Sequence, residues 1–380
     1  MQNQKWQRVL AVATVVVLVA SFTTLAVAQR VSSEERNSIF ASAAKEATKV
    51  NGVSLFAAPP KGFDPLKASN RELLSYGLPQ RPDASDVKNT AKWEKMIVAA
   101  KHRADPSKLE VKSFSSREMM PTKAAATSEV DGTVSYGSYN WSGIANFNAL
   151  AKWNTKTSFD EVISYFNVPV AQPPFGACGN NITGPFYQVA WNGIDGAFNG
   201  DVVQGGTLSA ADCYGDTLYE GWTEWYPSYS ILAWFYVNPG DDFVTETLGA
   251  PGFSTQYVFI EDITLQTYAS VSMAYQSGPG LVGKSAEYIV ERPCCASNGY
   301  PLALANYIFE FMGYNYAYDA YGTLFYPGNV GSHNAIFTMV DDADDQNISI
   351  PLIYGTAGNA GRYSIMFENE NCAYVGGCTP

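Results

Sequence analysis

The chain has 380 residues, 46% hydrophobic and 16% charged, enough for one large domain with an added segment. Its net charge of −12 is unevenly spread: residues 1–130 hold 19 Lys+Arg against 12 Asp+Glu, and residues 131–380 hold 5 against 24, so +7 is followed by −19. An acidic body of this kind excludes nucleic-acid binding through its field.

Lys5 and Arg8 precede an uncharged run from Val9 to Ala28 that ends in Ala26-Val27-Ala28. Residues 1–28 therefore read as an export signal, with an uncleaved anchor as the alternative. The rest of the chain is expected outside the cytoplasm, secreted, with no membrane contact beyond that segment. All six cysteines, Cys178, Cys213, Cys294, Cys295, Cys372 and Cys378, lie past the basic region, and an even count in an exported chain points to disulfides. Their pairing stays open, except that the adjacent Cys294 and Cys295 are expected to pair outward. No CxxC spacing occurs, so no structural zinc is expected.

Residues 29–112 read as a basic helical segment. Ser32 with Glu35, and Ser69 with Glu72, fit capping boxes, while Gly52 and Gly77 stand where helices should stop. Asp86 to His102 places Trp93, Met96, Ile97 and Ala100 at helical spacing. Residues 113–131, rich in Ser, Ala and Thr, read as a linker. From residue 132 to 380, runs of β-branched and aromatic residues such as PFYQVAWNGI, SILAWFYVN, TQYVFIEDITLQ and AIFTMV alternate with Gly, Pro, Asn and Asp. That is the pattern of an all-β sandwich or barrel. YASVSMAY alternates as a half-buried strand does.

Histidine is limited to His102 and His333, the latter expected in a surface turn, and no HExxH, P-loop or dinucleotide motif occurs. Any chemistry must rest on carboxylates and amides, with no metal and no cofactor. Strand parity puts Trp222, Glu224 and Tyr226 of GWTEWYP on one face, Glu287, Ile289 and Glu291 of AEYIVE on another, and Gln204 beside Val202 in VVQGG.

Five motifs in order, YNWSG (139–143), AWNGIDG (190–196), VVQGG (202–206), YEGWTEWYP (219–227) and AEYIVE (286–291), resemble the glutamic peptidases, the eqolisin family. The resemblance implies a concanavalin A-like sandwich of two antiparallel sheets with a Gln/Glu dyad in a groove. Carried over by motif, the dyad is Gln204 and Glu291, and Trp141, Asp195, Trp222 and Glu224 are supporting residues. In such a site a carboxylate takes a proton from water attacking a peptide carbonyl, and an amide NH2 stabilises the oxyanion. Because an unperturbed Glu titrates at about 4.3, acid conditions are implied. The substrates would be proteins or peptides, and the protein a monomer.

The charge split suggests that the basic segment is an inhibitory pro-segment held on the acidic domain and released in acid, making the protein a zymogen. A carbohydrate-binding module with Trp222 and Trp225 as sugar platforms, or a glycosidase with Glu224 and Glu291 as its carboxylate pair, are the competing expectations. Asn140, Asn181 and Asn347 fit glycosylation sequons, and DDADDQN (341–347) reads as a solvated acidic turn.

Overall fold

The structure is a computed structural model and describes residues 30–83, 86–114, 127–130, 133–147, 158–179, 183–294, 301–307, 309–327, 333–341, 347–354 and 364–369. The export signal, most of the linker, Asn181, Cys295, Cys372, Cys378 and most of DDADDQN lie outside those residues.

The basic segment opens with α1 (Ser33–Ala43), where Ser32 Oγ accepts from Glu35 N. The hairpin β1 (Thr48–Val50) and β2 (Val53–Leu55) follows. Gly52 does not stop a helix: Asn51 and Gly52, at φ 44° and 82°, form the two-residue turn of this hairpin, the arrangement that Asn-Gly favours. Helix α2 (Asn70–Ser75) begins with the complete Ser69/Glu72 capping box, and Gly77, at φ 68°, follows its end. Helix α3 (Val87–Ala99) is capped by Asp86 and buries Trp93, Met96 and Ile97. Two short strands, β3 (His102–Arg103) and β4 (Glu110–Val111), complete the segment, which is thus mixed rather than helical throughout.

Seventeen further strands follow among the described residues. They are β5 (Thr127–Val130), β6 (Thr133–Ser138), β7 (Trp141–Phe147), β8 (Phe159–Asn167), β9 (Phe186–Ile194), β10 (Val202–Ala211), β11 (Thr217–Tyr226), β12 (Leu232–Tyr236) and β13 (Asp242–Leu248). Then come β14 (Thr255–Asp262), β15 (Thr267–Ala274), β16 (Ser285–Glu291), β17 (Phe309–Asp319), β18 (Leu324–Phe325), β19 (His333–Val340), β20 (Asn347–Tyr354) and β21 (Ser364–Asn369). The last residues of the expected linker are therefore a strand, β5, paired with β6. His333 opens β19 rather than sitting in a turn.

Pairing runs β4–β12–β11–β10–β9–β16–β7–β19–β6–β5 through one sheet and β2–β15–β14–β13–β8–β17–β21–β20 through the other. Met339 and Val340 of β19 pair with β20 and join the two. Pairing is antiparallel except for β3 on β15 and β6 on β19. The fold is the antiparallel sandwich the sequence implies. Its core lies between the sheets, where Ile194, Val203, Trp225 and Tyr288 of the first meet Val162, Phe243, Val258 and Val271 of the second.

The basic segment forms a third layer. Trp93, Met96, Ile97, Leu73 and Leu78 pack on the outer face of the second sheet, against Ile163, Val244, Phe259, Tyr268 and Tyr314. This explains β15: it alternates as a half-buried strand would, yet Tyr268 and Ser270 are buried as well as Ala269 and Val271, because helices cover the second face. Arg36, itself buried, bonds Asp160 at 3.0 Å and Glu161 at 3.3 Å, and Arg30 also reaches Glu161. Strand β2, and in parallel β3, add to β15, and β4 adds to β12.

Candidate active site

The outer face of the first sheet, opposite the helices, carries the polar residues, and Gln204, Glu224, Glu287 and Glu291 are all fully buried there. Along β10 the alternation sends Val203 to the sandwich core and Gln204 outward. Along β11 it sends Trp225 inward and Trp222 and Glu224 outward, and along β16 Tyr288 and Val290 inward and Glu287, Ile289 and Glu291 outward.

Register decides which of these meet. Glu224 pairs with Gln204, Gln204 with Gly193, and Gly193 with Glu287. Glu224, Gln204 and Glu287 thus stand in one row across β11, β10, β9 and β16, with a glycine in the gap. At about 4.8 Å per strand, the Cα atoms of Gln204 and Glu287 are about 10 Å apart, within reach of two long side chains converging over Gly193. A methyl group at 193 would lie 2.9 Å from the Val203 carbonyl oxygen, 3.0 Å from the Trp191 ring and 3.2 Å from Gln204 Cβ, so only glycine fits between these groups.

Glu291 lies elsewhere. It pairs with Val189 and Trp141, four residues along the strand from the Gly193 row, which is about 13 Å at 3.3 Å per residue. Its carboxylate is fully buried and accepts from Asn140 Nδ2 at 2.9 Å and Trp191 Nε1 at 2.8 Å. Asn140, the first sequon, is therefore inside the protein and not a glycan carrier. The Arg292 guanidinium is taken up by the Tyr139 and Val340 carbonyls.

Gln204 Nε2 donates to Glu224 Oε2 at 2.8 Å, which fixes the amide. Glu287 Oε1 accepts from Ala197 N at 2.6 Å and Ser285 Oγ at 2.8 Å. Gly196, at φ 115°, lets the backbone pass close to this carboxylate: a Cβ there would come within 2.8 Å of Glu287 Oε2 and 3.0 Å of Trp141. Trp141 packs edge-on to Trp191, and both join Trp222 and Ile289 in the apolar floor.

Asp195 supports the site from its end. Its oxygens accept from the backbone N–H groups of Val282, Gly283 and Lys284 at 2.6, 2.8 and 2.7 Å, tying the loop before β16 to the turn after β9. Burial raises its carboxyl above the usual range, and the three N–H groups pull it back. Asp201, which leads into β10, accepts from Trp225 Nε1 and, at 3.1 Å, from Gly280 N, and burial pushes it up to about 6. Glu220 is ion-paired to Lys112 at 2.6 Å. Cys178 and Cys213 form a disulfide, and Cys294 is also disulfide-bonded.

Sequence reasoning did not place Trp191, Asn140 or Ser285 in the site, and it read Asn140 as a sequon only. Trp191 stands in AWNGIDG and Asn140 in YNWSG, but only the register discloses that both close on Glu291. Glu287 shared a face with Glu291, and parity cannot separate them.

The peptidase A4 family model matches residues 139–330. The chain is 34% identical to scytalidopepsin B of Scytalidium lignicola over 149 residues, which is 38% of this chain and 51% of the relative, so it spans about half the length of the curated relative it matches. Among solved structures it is similar to scytalido-glutamic peptidase bound to a peptide-based transition-state analogue, at TM-score 0.47 and 20% identity over 61% of this chain and 98% of that one. It is also similar to aspergilloglutamic peptidase from Aspergillus niger, at TM-score 0.39 and 20% identity over 48% of this chain and 99% of that one. The family match covers 192 of 380 residues and contains all five motifs, and on that ground the chain belongs to the peptidase A4 family.

Proposed function

We propose that the protein is a secreted acid endopeptidase whose dyad is Gln204 and Glu287, in place of the Glu291 that motif matching alone selects. The observation that carries this is the row Glu224–Gln204–Gly193–Glu287. In this reading the substrate carbonyl lies over Gly193. Glu287, held by Ala197 N and Ser285 Oγ, takes a proton from the attacking water. The new oxyanion is met by the Gln204 amide, oriented by Glu224. The C–N bond then breaks, and the proton passes from Glu287 to the leaving amine, giving a carboxyl product and an amine.

The sugar-directed readings lose support from the same geometry. Trp222 and Trp225 are buried and offer no exposed platform. Glu224 and Glu291 are three strands and four residues apart, far beyond the roughly 5–9.5 Å of a glycosidase pair. The Cys178–Cys213 disulfide fits an oxidising compartment and so the secreted reading.

As for a zymogen, the helices pack on the sheet opposite the dyad, and among the described residues of the segment its end, with Phe114 against Tyr187, touches the dyad's face. Activation in this reading is a cut between residues 113 and 131 that leaves the helical layer bound.

The test is hydrolysis of a denatured protein substrate between pH 3 and 5. Glu287→Gln and Gln204→Ala should each lose activity by about 10²–10⁴-fold, the range for a general acid–base or oxyanion donor, while Glu291→Gln retains most of it. Loss on Glu291→Gln alone would return the base to that position. Absence of hydrolysis by the wild type, with or without a cut in 113–131, would remove the peptidase reading.

A further inference from the structure

Beside the dyad lies an aromatic cluster that the chemistry does not use. Phe198 follows Ala197, whose N–H holds Glu287. Its ring packs against Tyr136 at 4.9 Å, Phe147 at 5.9 Å and Phe337 at 5.9 Å, and Phe337 continues to Trp141 at 5.7 Å. These rings lie on β6, β7 and β19, on the Glu287 side of the row and on the same face.

Two further features mark Phe198. It is 44% exposed although it is a large apolar residue. It also has φ 61°, a left-handed conformation uncommon for any residue but glycine and an outlier for one this bulky. A bulky side chain held in a strained turn, yet left half in solvent, is what a contact surface requires and what a core does not. Tyr136 and Phe147 are only partly buried, so the exposed surface extends across three rings.

We propose that Phe198, with Tyr136 and Phe147, forms a specificity shelf that receives a large apolar side chain of the substrate next to the scissile bond. This rests on the peptidase reading of the Gln204/Glu287 site. A carbonyl seated over Gly193 has Glu287 on its β16 side, and the Gly196–Phe198 turn borders that carboxylate. A side chain projecting past Glu287 from a residue flanking the scissile bond therefore meets the ring of Phe198. Phe198 makes no contact with the reacting atoms, so it is a specificity residue and not a catalytic one.

The experiment compares the full-length wild type with Phe198→Ala, Phe198→Gly and Phe198→Leu on paired peptides carrying Phe or Ala at each position flanking the cut. Wild type should favour Phe at one of these positions. Phe198→Ala and Phe198→Gly should reduce that preference in kcat/KM by about tenfold or more, through KM, with cleavage of the Ala peptide within about twofold of wild type. Phe198→Leu should fall between. Thermal midpoints give a separate readout: Phe198→Gly should stay at or above Phe198→Ala, because both lose the ring contacts but only glycine adopts the left-handed backbone without strain. An unchanged preference with lowered midpoints in all three variants would overturn the proposal and make Phe198 structural. If the wild type cleaves neither peptide, the peptidase reading fails and the shelf falls with it. Cleavage without any Phe preference sinks the shelf alone.

Discussion

At the scale of single residues, the face a side chain takes and the row it occupies are separate facts. Parity groups Glu224 with Trp222, Glu287 with Glu291 and Gln204 with Val202, strand by strand, and the pairing of β11, β10, β9 and β16 brings these sets to one face. Register separates the two glutamates. Gly193→Ala tests the row directly. The added methyl would press on the Val203 carbonyl and the Trp191 ring and crowd Gln204 Cβ, and a displacement of about 1 Å in such a site can cost about 10²-fold in rate. Activity should fall by that order, with a much smaller change in urea midpoint. Glu291→Gln should do the reverse. It replaces one of two oxygens that accept from Asn140 and Trp191, so it should cost about 1–3 kcal/mol of stability while leaving hydrolysis largely in place. The face of each candidate was legible because alternation is local. The row was not, because it depends on how β16, some 80 residues after β10, docks beside β9.

At the scale of elements, the N-terminal segment shows where local signals succeed and where they stop. The Ser69/Glu72 cap, the Asp86 start and the spacing of Trp93, Met96 and Ile97 gave helices where helices occur. Asn51-Gly52 was a hairpin signal, and a helix-stop reading of the glycine alone hides it. The partner of the helical stripe is a row of Tyr, Phe and Ile residues on a distant sheet, and nothing near residue 93 announces it. The layer is pinned by Arg36, buried between Asp160 and Glu161. Arg36→Ala should destabilise the protein by about 3–5 kcal/mol at pH 5, read from urea unfolding, because the buried Asp160 loses its cation and Glu161 is left with Arg30 alone. A cost below 1 kcal/mol would mean the segment is held by its apolar stripe alone. After a cut in 113–131 the two pieces should still co-elute.

At the scale of the molecule, several buried acids set the pH range of the fold. Burial, and then the neighbouring Glu161, raise Glu246 well above the ordinary carboxyl range. Burial, and then Asp262, do the same for Glu261, whose oxygens have no hydrogen-bond partner among the described residues. Burial lifts Asp262 to about 7 and Asp201 to about 6. A carboxyl raised in the folded state stays protonated there while the unfolded chain ionises. Its stabilising share is complete below pH 4 and is lost as pH rises through 6 and 7. Asp242 and Glu110 are lowered by Lys95 and Lys112 and act in the opposite sense, but both carboxylates are about half exposed and the pairs are worth little. The thermal midpoint should therefore fall steadily between pH 4.5 and 7.5. A midpoint that rises over that range would contradict the burial of these acids in their neutral form.

The pairing of β4 with β12, and of β2 and β3 with β15, has a consequence for how the protein is made. A sheet margin with unpaired N–H and C=O groups is a template for another chain, and such templates seed aggregates. Here the strands that occupy one margin of each sheet precede β12 and β15 in the sequence by more than 100 residues, so during synthesis the cover is already present when β12 and β15 leave the ribosome. The strands never need to wait, open, for a partner still to be translated.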